Sequence, residues 1–466
     1  MLRKWQSECA EQAIEKYKTG ASHFFCQATP GAGKTTLASE IASRLLKANM
    51  IDFILCFAPS LSVVDGIKKT FSQKLKCTFS GNLGSIGQSL TYQSLQFLSE
   101  EFWLSLKNYR IFVVFDEIHH CSGNTPQNAN TWGQQIIAKI QGFAKYTLAM
   151  SGTPWRTDLL PIVMARYADP DGKLCVDYQY TLKQAVEDKV CRAPQIVLID
   201  NQELSFDCEI RGQQRYSSIE AFLKETKASY QNIIHNAEAM KFILGLGCQK
   251  LTSIRKTSPM AGGLVVAASV RHAHAIAKML IENYQQSVSI VTYRDDEPLN
   301  EIEHFRKNNT EWIISVGMIS EGTDIPRLQI CCHLSSIKTE LYFRQVLGRI
   351  LRINNSINQE AWLYTFAEPS LITYAEEIEK DIPESYQCIQ LGPPISQSFN
   401  AGQKLPTNQI ETNQIETNQI NTLNISDDFG LKPSKIDYQN ILQSAVADFD
   451  ELIMGEFKQR VISAFL

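Results

Sequence analysis

The feature that most restricts the fold is the glycine-rich segment Ala28-Thr-Pro-Gly-Ala-Gly-Lys-Thr35. It follows the apolar run Phe24–Gln27 and precedes an amphipathic stretch, so the pattern predicts a loop that leads from a buried strand into a helix. Glycines let backbone N–H groups wrap around an anion, and the N-terminus of the helix adds its positive end. We therefore predict a phosphate-binding loop, although its first position is Ala28 rather than glycine; a glycine-rich turn without a ligand is the alternative.

This loop gives individual side chains a predicted role. Lys34 is expected to reach the β- and γ-phosphates of a nucleotide, and the Thr35 hydroxyl is expected to coordinate Mg²⁺. The loop residues predicted to contact the nucleotide are Thr29, Gly31, Ala32, Gly33, Lys34, Thr35 and Thr36.

A second segment ends an apolar run with two carboxylates. Residues 111–115 form a predicted buried strand, and the carboxylates of Asp116 and Glu117 follow at its end. Ligands of open α/β sheets bind at the carboxyl ends of the strands, so Asp116 is predicted to hold Mg²⁺ together with Thr35. Glu117 is predicted to orient or deprotonate the attacking water. Solvated acids at a strand end are the alternative, which the glycine-rich loop upstream disfavours.

Short apolar runs alternate with amphipathic stretches in two parts of the chain, the second of which begins at Gly262. Strand, helix and strand in this order indicate a parallel sheet with helices on both faces. The predicted strands are Phe24–Gln27, Phe53–Ala58, Ile111–Phe115, Leu264–Ala268, Ser287–Thr292 and Trp312–Val316, and the predicted helices include Thr131–Gln141, Arg271–Tyr284 and Leu299–Asn308. The fold class is therefore predicted to be α/β, with two such lobes in tandem.

The chain of 466 residues is longer than one ordinary domain, and its composition suggests five parts. Residues 1–190 and 262–395 are assigned to the two lobes, and residues 191–261 to a connecting strand and a helical bridge. Residues 396–433 include a polar five-residue repeat and are predicted to be a flexible linker. Residues 434–466 have apolar side chains at helical spacing. They are predicted to form an amphipathic helix that either lies in a groove of a partner protein or folds back onto the second lobe.

Charge and composition exclude several classes of protein. The formal net charge of −4 excludes a histone-like polycation, so a nucleic-acid site would have to be a local basic patch. No apolar run approaches the ~20 residues that a membrane span requires, and the first residues lack the pattern of a secretory signal. The twelve cysteines are scattered without a C-x-x-C pair, which favours a reducing compartment. We therefore predict a cytoplasmic protein that does not bind membranes.

Taken together, the motifs resemble those of the superfamily 2 DEAD/DEAH-box-like helicases and translocases. The sequence Asp116-Glu-Ile-His119 is similar to their DEAD/DEAH box, and Ser151-Gly-Thr-Pro-Trp-Arg156 is similar to motif III of the XPB-like and type III restriction-subunit branch. Gly317–Pro326 is similar to motif V, and Gln345–Arg352 matches the Q-x-x-G-R-x-x-R pattern of motif VI. These motifs occur in the family's order. The resemblance implies two RecA-like lobes that hydrolyse ATP with Mg²⁺ and act on DNA, with RNA left open.

The resemblance also implies catalytic and binding residues on the second lobe. Arg349 and Arg352 lie one helical turn apart and would serve as arginine fingers, which meet the charge of the phosphates from the side opposite Lys34. Gln6 resembles the glutamine that reads adenine in this family. The further positions assigned to the nucleotide or to the cleft between the lobes are Gly322, Asp324 and Gln345.

Six positions are assigned to a nucleic-acid track by their resemblance to motifs Ia, Ib and IV. Hydroxyls and backbone N–H groups at such positions grip phosphates rather than read bases. These positions are Pro59, Ser60, Thr91, Tyr92, Ser269 and Arg271. His119 and the stretch Ser151–Thr153 would connect the ATP site with this track.

Two functions remain open at this point. The first is a helicase or translocase in which ATP hydrolysis closes the lobes and moves the protein along a phosphate backbone. The second is an ATP-gated scaffold or motor subunit that docks a partner protein through the C-terminal helix without unwinding nucleic acid.

Overall fold

A six-stranded parallel sheet organises the first lobe in the computed structural model of the chain. The structure describes residues 2–379 and 452–464, except for residues 126, 155, 157, 159, 169–171, 209–211, 227, 296 and 318–322. The strands of this lobe, including the short antiparallel pair β6–β7, are β1 (His23–Ala28), β2 (Phe53–Ala58), β3 (Gly87–Thr91), β4 (Ile111–Asp116), β5 (Tyr146–Ser151), β6 (Arg166–Ala168), β7 (Lys173–Cys175) and β8 (Tyr178–Tyr180). The sheet order is β3-β2-β4-β5-β1-β8, and all neighbours are parallel.

Helices pack on this sheet, which explains why its strands read as continuous apolar runs. They are α1 (Lys4–Lys18), α2 (Lys34–Lys47), α3 (Leu61–Leu75), α4 (Glu100–Leu106), α5 (Thr131–Gln135) and α6 (Leu182–Glu187), with 3₁₀ turns at Tyr92–Phe97 and Ile118–His120. Phe57 and Phe115 from adjacent strands stack with their ring centroids 6.0 Å apart and pack with Ile136 and Ile140. The last two residues belong to a π-helical turn that continues α5, so the helix predicted over Thr131–Gln141 is present.

The second lobe has a seven-stranded sheet of the same kind. Its strands and those of the small sheet beside it are β9 (Pro194–Asn201), β10 (Leu204–Cys208), β11 (Gly212–Tyr216), β12 (Gly262–Ala267), β13 (Val288–Thr292), β14 (Trp312–Val316), β15 (Leu328–Leu334), β16 (Ala361–Phe366), β17 (Leu452–Met454) and β18 (Phe457–Ser463). The order of the large sheet is β13-β14-β12-β15-β16-β9-β18, and only β18 runs antiparallel to its neighbour. The predicted α/β class with two RecA-like lobes is confirmed.

The segment between the lobes belongs to the second lobe. Its helices and the later helices of that lobe are α7 (Ile219–Glu225), α8 (Tyr230–Ile234), α9 (Ala237–Arg255), α10 (Val270–Tyr284), α11 (Pro298–Lys307), α12 (Glu340–Ile350) and α13 (Pro369–Glu379). Helix α9 packs directly on the second sheet, because a Cβ atom on Gly247 would lie 2.8 Å from Cys332 Sγ. The predicted connecting strand is β9, which pairs with β16 inside the second sheet. The bridge of residues 191–261 is therefore not a separate layer.

The prediction of an amphipathic helix over residues 434–466 is wrong for the part of this segment that the structure describes. Leu452–Met454 and Phe457–Ser463 are strands. Strand β18 pairs along the whole free edge of β9, from Phe457 opposite Asn201 to Ser463 opposite Gln195. Phe457 stacks on Phe242 of α9 at a centroid distance of 4.4 Å, and Ile462 is buried. Hydrogen bonds to an open sheet edge and these apolar contacts outweigh the helical spacing, which is a weak local preference.

Several predictions lie outside the described residues. They concern Gly322, the linker of residues 396–433 and the N-terminal part of the predicted helix, residues 434–451. Among the helices of the described part of the chain, none combines the length and the apolar character that a membrane crossing requires.

Candidate active site

The glycine-rich loop connects β1, which ends at Ala28, with α2, which begins at Lys34. Gly31 and Gly33 have φ angles of +83° and +91°, a region that side chains with a Cβ atom rarely adopt. Gly33 is the N-cap residue of α2, so the loop leads directly into the first turn of the helix. The predicted strand, loop and helix are therefore present, with the backbone geometry that a phosphate-binding loop requires.

The N-terminal turn of α1 contacts this loop. Gln6 Nε2 donates a hydrogen bond to the backbone oxygen of Gly33 (3.0 Å), and the Arg3 guanidinium donates to the backbone oxygen of Ala32 (2.6 Å). The backbone N–H of Arg3 in turn donates to Gln6 Oε1 (2.9 Å). Gln6 thus lies beside the loop, and its role in reading adenine stays a prediction. The contact of Arg3 with the loop was missed. The signal in the sequence that could have predicted this turn is the spacing of three residues between Arg3, the N-cap residue of α1, and Gln6.

Lys34 forms an ion pair with Glu117 in the interior of the site. Its Nζ atom lies 2.9 Å from Glu117 Oε1 and 3.3 Å from the backbone oxygen of Ala28. Burial by itself lowers the pKa of Lys34, but the nearby carboxylates of Glu117 and Asp116 outweigh this effect, so the pKa is raised above its usual value. The ammonium group therefore remains charged and is available to a phosphate that can compete with Glu117.

Glu117 is held in a strained backbone conformation at the end of β4. Its φ and ψ angles of 50° and 53° are left-handed, which is unfavourable for a residue with a side chain and is often found at functional sites. The second carboxylate oxygen, Oε2, accepts hydrogen bonds from the backbone N–H of Gly152 (3.2 Å) and from the Ser151 hydroxyl (3.4 Å). These contacts fix the orientation of the carboxylate beside Lys34.

A chain of polar contacts leads from Glu117 towards motif III. The Ser151 hydroxyl lies 2.8 Å from His119 Nδ1, and since it donates to Glu117, it accepts from the imidazole. The Arg156 guanidinium donates to the backbone oxygen of His119 (2.5 Å) and pairs with Asp158. His119 and Ser151 are buried. The contacts join Glu117 to Ser151 and His119, and the predicted connection from these residues to a nucleic-acid track stays a prediction.

Gly152 lies so close to the loop that a side chain does not fit. A Cβ atom at this position would be 2.9 Å from Pro30 Cδ and 3.0 Å from Lys34 Nζ. The proline ring cannot rotate out of the way, so we expect Gly152→Ala to displace the loop and to weaken ATP binding about tenfold, in line with the ~1–3 kcal/mol cost of overpacking. The measurement is a fluorescent-nucleotide titration, with thermal unfolding to compare stability.

Gly66→Ala provides the control for this prediction. Gly66 lies in α3, and a Cβ atom there would have no neighbour within 4 Å. We expect this variant to bind ATP like the parent protein and to be slightly more stable, because alanine favours helices over glycine. Equal ATP affinity of Gly152→Ala and the parent protein would contradict the close packing described above.

The second lobe reaches the same loop. A Cβ atom on Gly31 would lie 3.5 Å from Arg352 Cγ and 3.5 Å from Cys191 Sγ, and one on Gly348 would lie 2.6 Å from Pro30 Cβ. Cys191 Sγ is 3.6 Å from the backbone oxygen of Pro30. The two lobes therefore meet at Pro30 and Gly31, and motif VI lies across from the phosphate-binding loop.

Helix α12 carries Arg349 but ends at Ile350, so the predicted arginines do not lie one turn apart on the same helix. Arg349 is buried and donates a hydrogen bond from Nη1 to the backbone oxygen of Thr323 (2.7 Å). Arg352, which follows the helix, pairs with the carboxylate of Asp324. Gln345 lies one turn before Arg349 and is also buried. The structure thus places Arg352 with Asp324 at the junction of the lobes and Arg349 beside Gly348, which contacts Pro30. The contact predicted for Gln345 stays a prediction.

The residues present fit a bound Mg²⁺ ion. The Thr35 hydroxyl lies in the first turn of α2 next to Lys34, and the carboxylate of Asp116 acts on the pKa of the same lysine. Hydroxyl and carboxylate oxygens are the ligands that this cation prefers. Asp116 is 6% exposed, so its carboxylate faces the interior of the site rather than bulk solvent.

The six positions of the predicted nucleic-acid track differ in their exposure to solvent. Ser269 and Arg271 are exposed at the start of α10, and Ser60 is half-buried before α3. The assignments of Pro59, Thr91 and Tyr92 need correction, because all three side chains are buried and Pro59 also has no N–H to donate.

The buried position of Tyr92 has a structural explanation. Its hydroxyl donates to the backbone oxygen of Asp116 (2.8 Å), and its ring stacks on Trp132 at 5.8 Å. The hydroxyl of Thr91 lies 2.9 Å from that of Ser94. Tyr92 therefore supports the end of β4, a contact between distant parts of the sequence that a local motif does not reveal.

The chain is similar in sequence to restriction-enzyme subunits and to a DNA translocase. Residues 1–156 match the family model of the type III restriction enzyme, res subunit. An uncharacterized protein of Mycobacterium leprae is 29% identical over 393 residues, which cover 81% of this chain and 64% of that protein. The DNA 3'-5' translocase XPB2 of Sulfurisphaera tokodaii is 24% identical over 388 residues, which cover 75% of this chain and 78% of that protein. The chain thus spans less than two thirds of the length of the mycobacterial relative.

Solved structures show a related architecture. The ATP-dependent Type ISP restriction-modification enzyme LlaBIII bound to DNA has a TM-score of 0.54 and 14% sequence identity, with 83% of this chain and 31% of that chain covered. At this level of identity the similarity establishes the two-lobed fold alone.

Proposed function

We propose, from the similarity of this chain to restriction-enzyme subunits and to a DNA translocase, that it is a superfamily 2 helicase-like protein, a nucleic-acid-dependent ATP hydrolase that translocates along DNA. The observation that carries the proposal is the meeting of two half-sites at one loop. Lys34 and Glu117 adjoin this loop from the first lobe, and Arg352 lies beside Gly31 from the second. A nucleotide held at such a junction can couple its hydrolysis to the closure and opening of the lobes.

The first lobe would bind the phosphates and activate water. Backbone N–H groups of the glycine-rich loop would bind the phosphates, and Lys34 would exchange its contact with Glu117 for a contact with them. Thr35 and Asp116 would hold Mg²⁺, which supplies positive charge against the phosphate oxygens. Glu117, released from Lys34, would orient the attacking water and accept its proton.

The second lobe would supply the remaining positive charge. Arg349 and Arg352 would stabilise the charge that develops on the transferred phosphoryl group, which is the role of arginine fingers. Arg352 would leave Asp324 for this purpose, and Gln345 would contact the nucleotide or the first lobe. Because these groups come from the lobe opposite Lys34, hydrolysis would require both lobes to be closed on ATP.

The N-terminal turn would bind the base of the nucleotide. Gln6 is proposed to read adenine, with its side chain already anchored between Arg3 and Gly33. Arg3 would support the loop rather than the base, since its guanidinium donates to loop carbonyls.

DNA is the proposed track, with RNA as the alternative outcome of the test. The relative from Sulfurisphaera tokodaii is named a DNA translocase, and LlaBIII was solved bound to DNA. Ser60, Ser269 and Arg271 remain candidates for contacts with the phosphate backbone. The cytoplasm remains the proposed location, on the basis of the scattered cysteines of the sequence.

The proposal is tested by measuring ATP turnover with single-stranded, double-stranded and forked DNA and with RNA of matched sequence. We expect DNA to stimulate turnover and expect Arg271→Glu to raise the DNA concentration that gives half-maximal stimulation. Loss of one phosphate contact should also reduce the slope of log affinity against log salt by about 1.

Arg460→Glu is the matched control for charge reversal. Arg460 is an exposed arginine of β18 that pairs with Glu376. It should leave the DNA dependence and its salt slope at the parent values. Turnover that no polynucleotide stimulates would refute the nucleic-acid-dependent function, and stimulation by RNA alone would refute DNA as the track.

A further inference from the structure

Arg192 is a buried arginine that lies behind motif VI and outside every motif described above. It lies between α6 and β9, and its side chain is 2% exposed. Its guanidinium donates to three backbone oxygens, those of Leu328 (2.7 Å), Ile350 (3.1 Å) and Pro326 (3.2 Å), and its Nε atom donates to Gln359 Oε1 (3.0 Å). All four acceptors are neutral, so these contacts do not form an ion pair.

One of these acceptors is the carboxyl end of α12. The last carbonyl groups of a helix have no partner within the helix, and a cation near them is favourable. Arg192 satisfies the oxygen of Ile350 with its guanidinium, and its backbone N–H donates to the oxygen of Leu351 (2.8 Å). Cys191 forms an antiparallel bridge with Arg352 immediately beyond. Residues 191 and 192 therefore fix the end of the helix at the position where Arg349 and Arg352 lie.

Two of the other acceptors, the backbone oxygens of Pro326 and Leu328, follow directly after the segment that receives the two arginines. Arg349 donates to the oxygen of Thr323, and Arg352 pairs with Asp324. Pro326, a few residues further on, is held by the Arg192 guanidinium. One guanidinium thus joins the end of α12, between Arg349 and Arg352, to the segment that anchors both side chains.

We propose that Arg192 is a positioning residue that holds Arg349 and Arg352 in the geometry required for ATP hydrolysis. The inference rests on the proposed function, because it assigns Arg192 to the same site. Lysine cannot replace the planar fork, since its ammonium group does not reach several fixed acceptors at once in this arrangement. A displacement of about 1 Å at a reacting group can lower a rate ~100-fold.

The test is single-turnover ATP hydrolysis by the full chain with Arg192→Lys, normalised to the concentration of nucleotide-binding sites. We expect kcat to fall about 10- to 100-fold. The affinity for ATP should change less than about twofold, because the lost geometry acts in the transition state rather than in binding. Normalisation removes unfolded protein from the comparison, and thermal unfolding records any loss of stability.

Arg255→Lys is the matched control. The Arg255 guanidinium also donates to backbone oxygens, those of Ala261 and Asn309, and neither belongs to α12 or to the segment of Thr323, Asp324 and Pro326. This variant should lose stability without a change of kcat per binding site. An equal fall of kcat in both variants would overturn the inference, because a general disturbance of the lobe would then explain the result.

A double variant separates positioning from other effects. In the Arg349→Ala background, Arg192→Lys should lower kcat by much less than it does alone, because the two changes act on the same interaction. Fully multiplicative losses would overturn the inference. If Arg192→Lys kept the kcat of the parent protein while Arg349→Ala were inactive, only the positioning role of Arg192 would be refuted. If Arg349→Ala itself kept the kcat of the parent protein, the proposed catalytic role of the arginines would be refuted.

Discussion

Replacement of Glu117 by glutamine is expected to abolish nearly all ATP turnover while ATP binding becomes tighter. The carboxylate has two opposite effects in the structure. It is the proposed acceptor of the proton from water, and it also pairs with Lys34 at 2.9 Å, so it competes with phosphates for the same ammonium group. Removal of its charge should lower kcat by about 10²- to 10⁴-fold, the range typical of a lost general base.

The tighter binding follows from the charge balance around Lys34. The carboxylates of Glu117 and Asp116 together raise the pKa of this lysine despite its burial, so they stabilise its charged form without a nucleotide. In Glu117→Gln the neutral amide keeps the shape of the side chain but attracts the ammonium group less. Less of the interaction energy with ATP is then spent on separating the ion pair. Asp116 remains to keep Lys34 charged.

This expectation is checked by a nucleotide titration and by single-turnover hydrolysis on the same preparations. Glu40→Gln is the control. Glu40 is also a half-buried carboxylate, and it pairs with two cations, Arg44 and Lys74, but it lies in the middle of α2 and not next to Lys34. It should leave both quantities unchanged. Weaker ATP binding in Glu117→Gln, or turnover close to that of the parent protein, would contradict the two roles assigned to Glu117.

The sequence predicted the parts of the fold in which local pattern and tertiary environment agree. Phe53–Ala58 and Trp312–Val316 were predicted with the bounds of β2 and β14, because a strand buried on both faces is apolar from end to end. The C-terminal segment failed for the opposite reason. Its apolar residues fit a helical spacing, but the free edge of β9 supplies hydrogen bonds that no local pattern encodes.

The candidate site divides in the same way. Lys34, Asp116 and Glu117 follow from strand ends and a glycine-rich loop, which are local features of the sequence. Arg349 and Arg352 were assigned by resemblance, since nothing local reveals that α12 faces the loop. Neither the local pattern nor the resemblance identified Arg3 or Arg192. Their partners are mainly backbone oxygens that are distant in sequence, and every residue has such an oxygen, so the sequence gives no sign of the contact.

Replacement of Arg349 by alanine is expected to lower kcat by about 10³-fold or more, the magnitude associated with arginine fingers. The guanidinium is buried and donates to the backbone oxygen of Thr323, so it is held in place before any nucleotide binds. A preorganised positive charge stabilises the transition state most, because negative charge develops on the transferred phosphoryl group there. ATP affinity should therefore change only a few-fold.

A transition-state analogue distinguishes this role from a structural one. ADP with aluminium fluoride should bind Arg349→Ala much more weakly than it binds the parent protein, whereas ADP alone should bind both equally, because the arginine interacts with the transferred group. Arg349→Lys should also be defective, since a point charge does not reproduce the planar fork. Arg460→Ala removes an exposed arginine that pairs with Glu376 and should leave all of these quantities at parent values. If Arg349→Ala lost affinity for ADP and for the analogue to the same extent, the arginine would act in binding or folding. The proposal that Arg349 stabilises the transferred phosphoryl group when the second lobe closes would then be refuted.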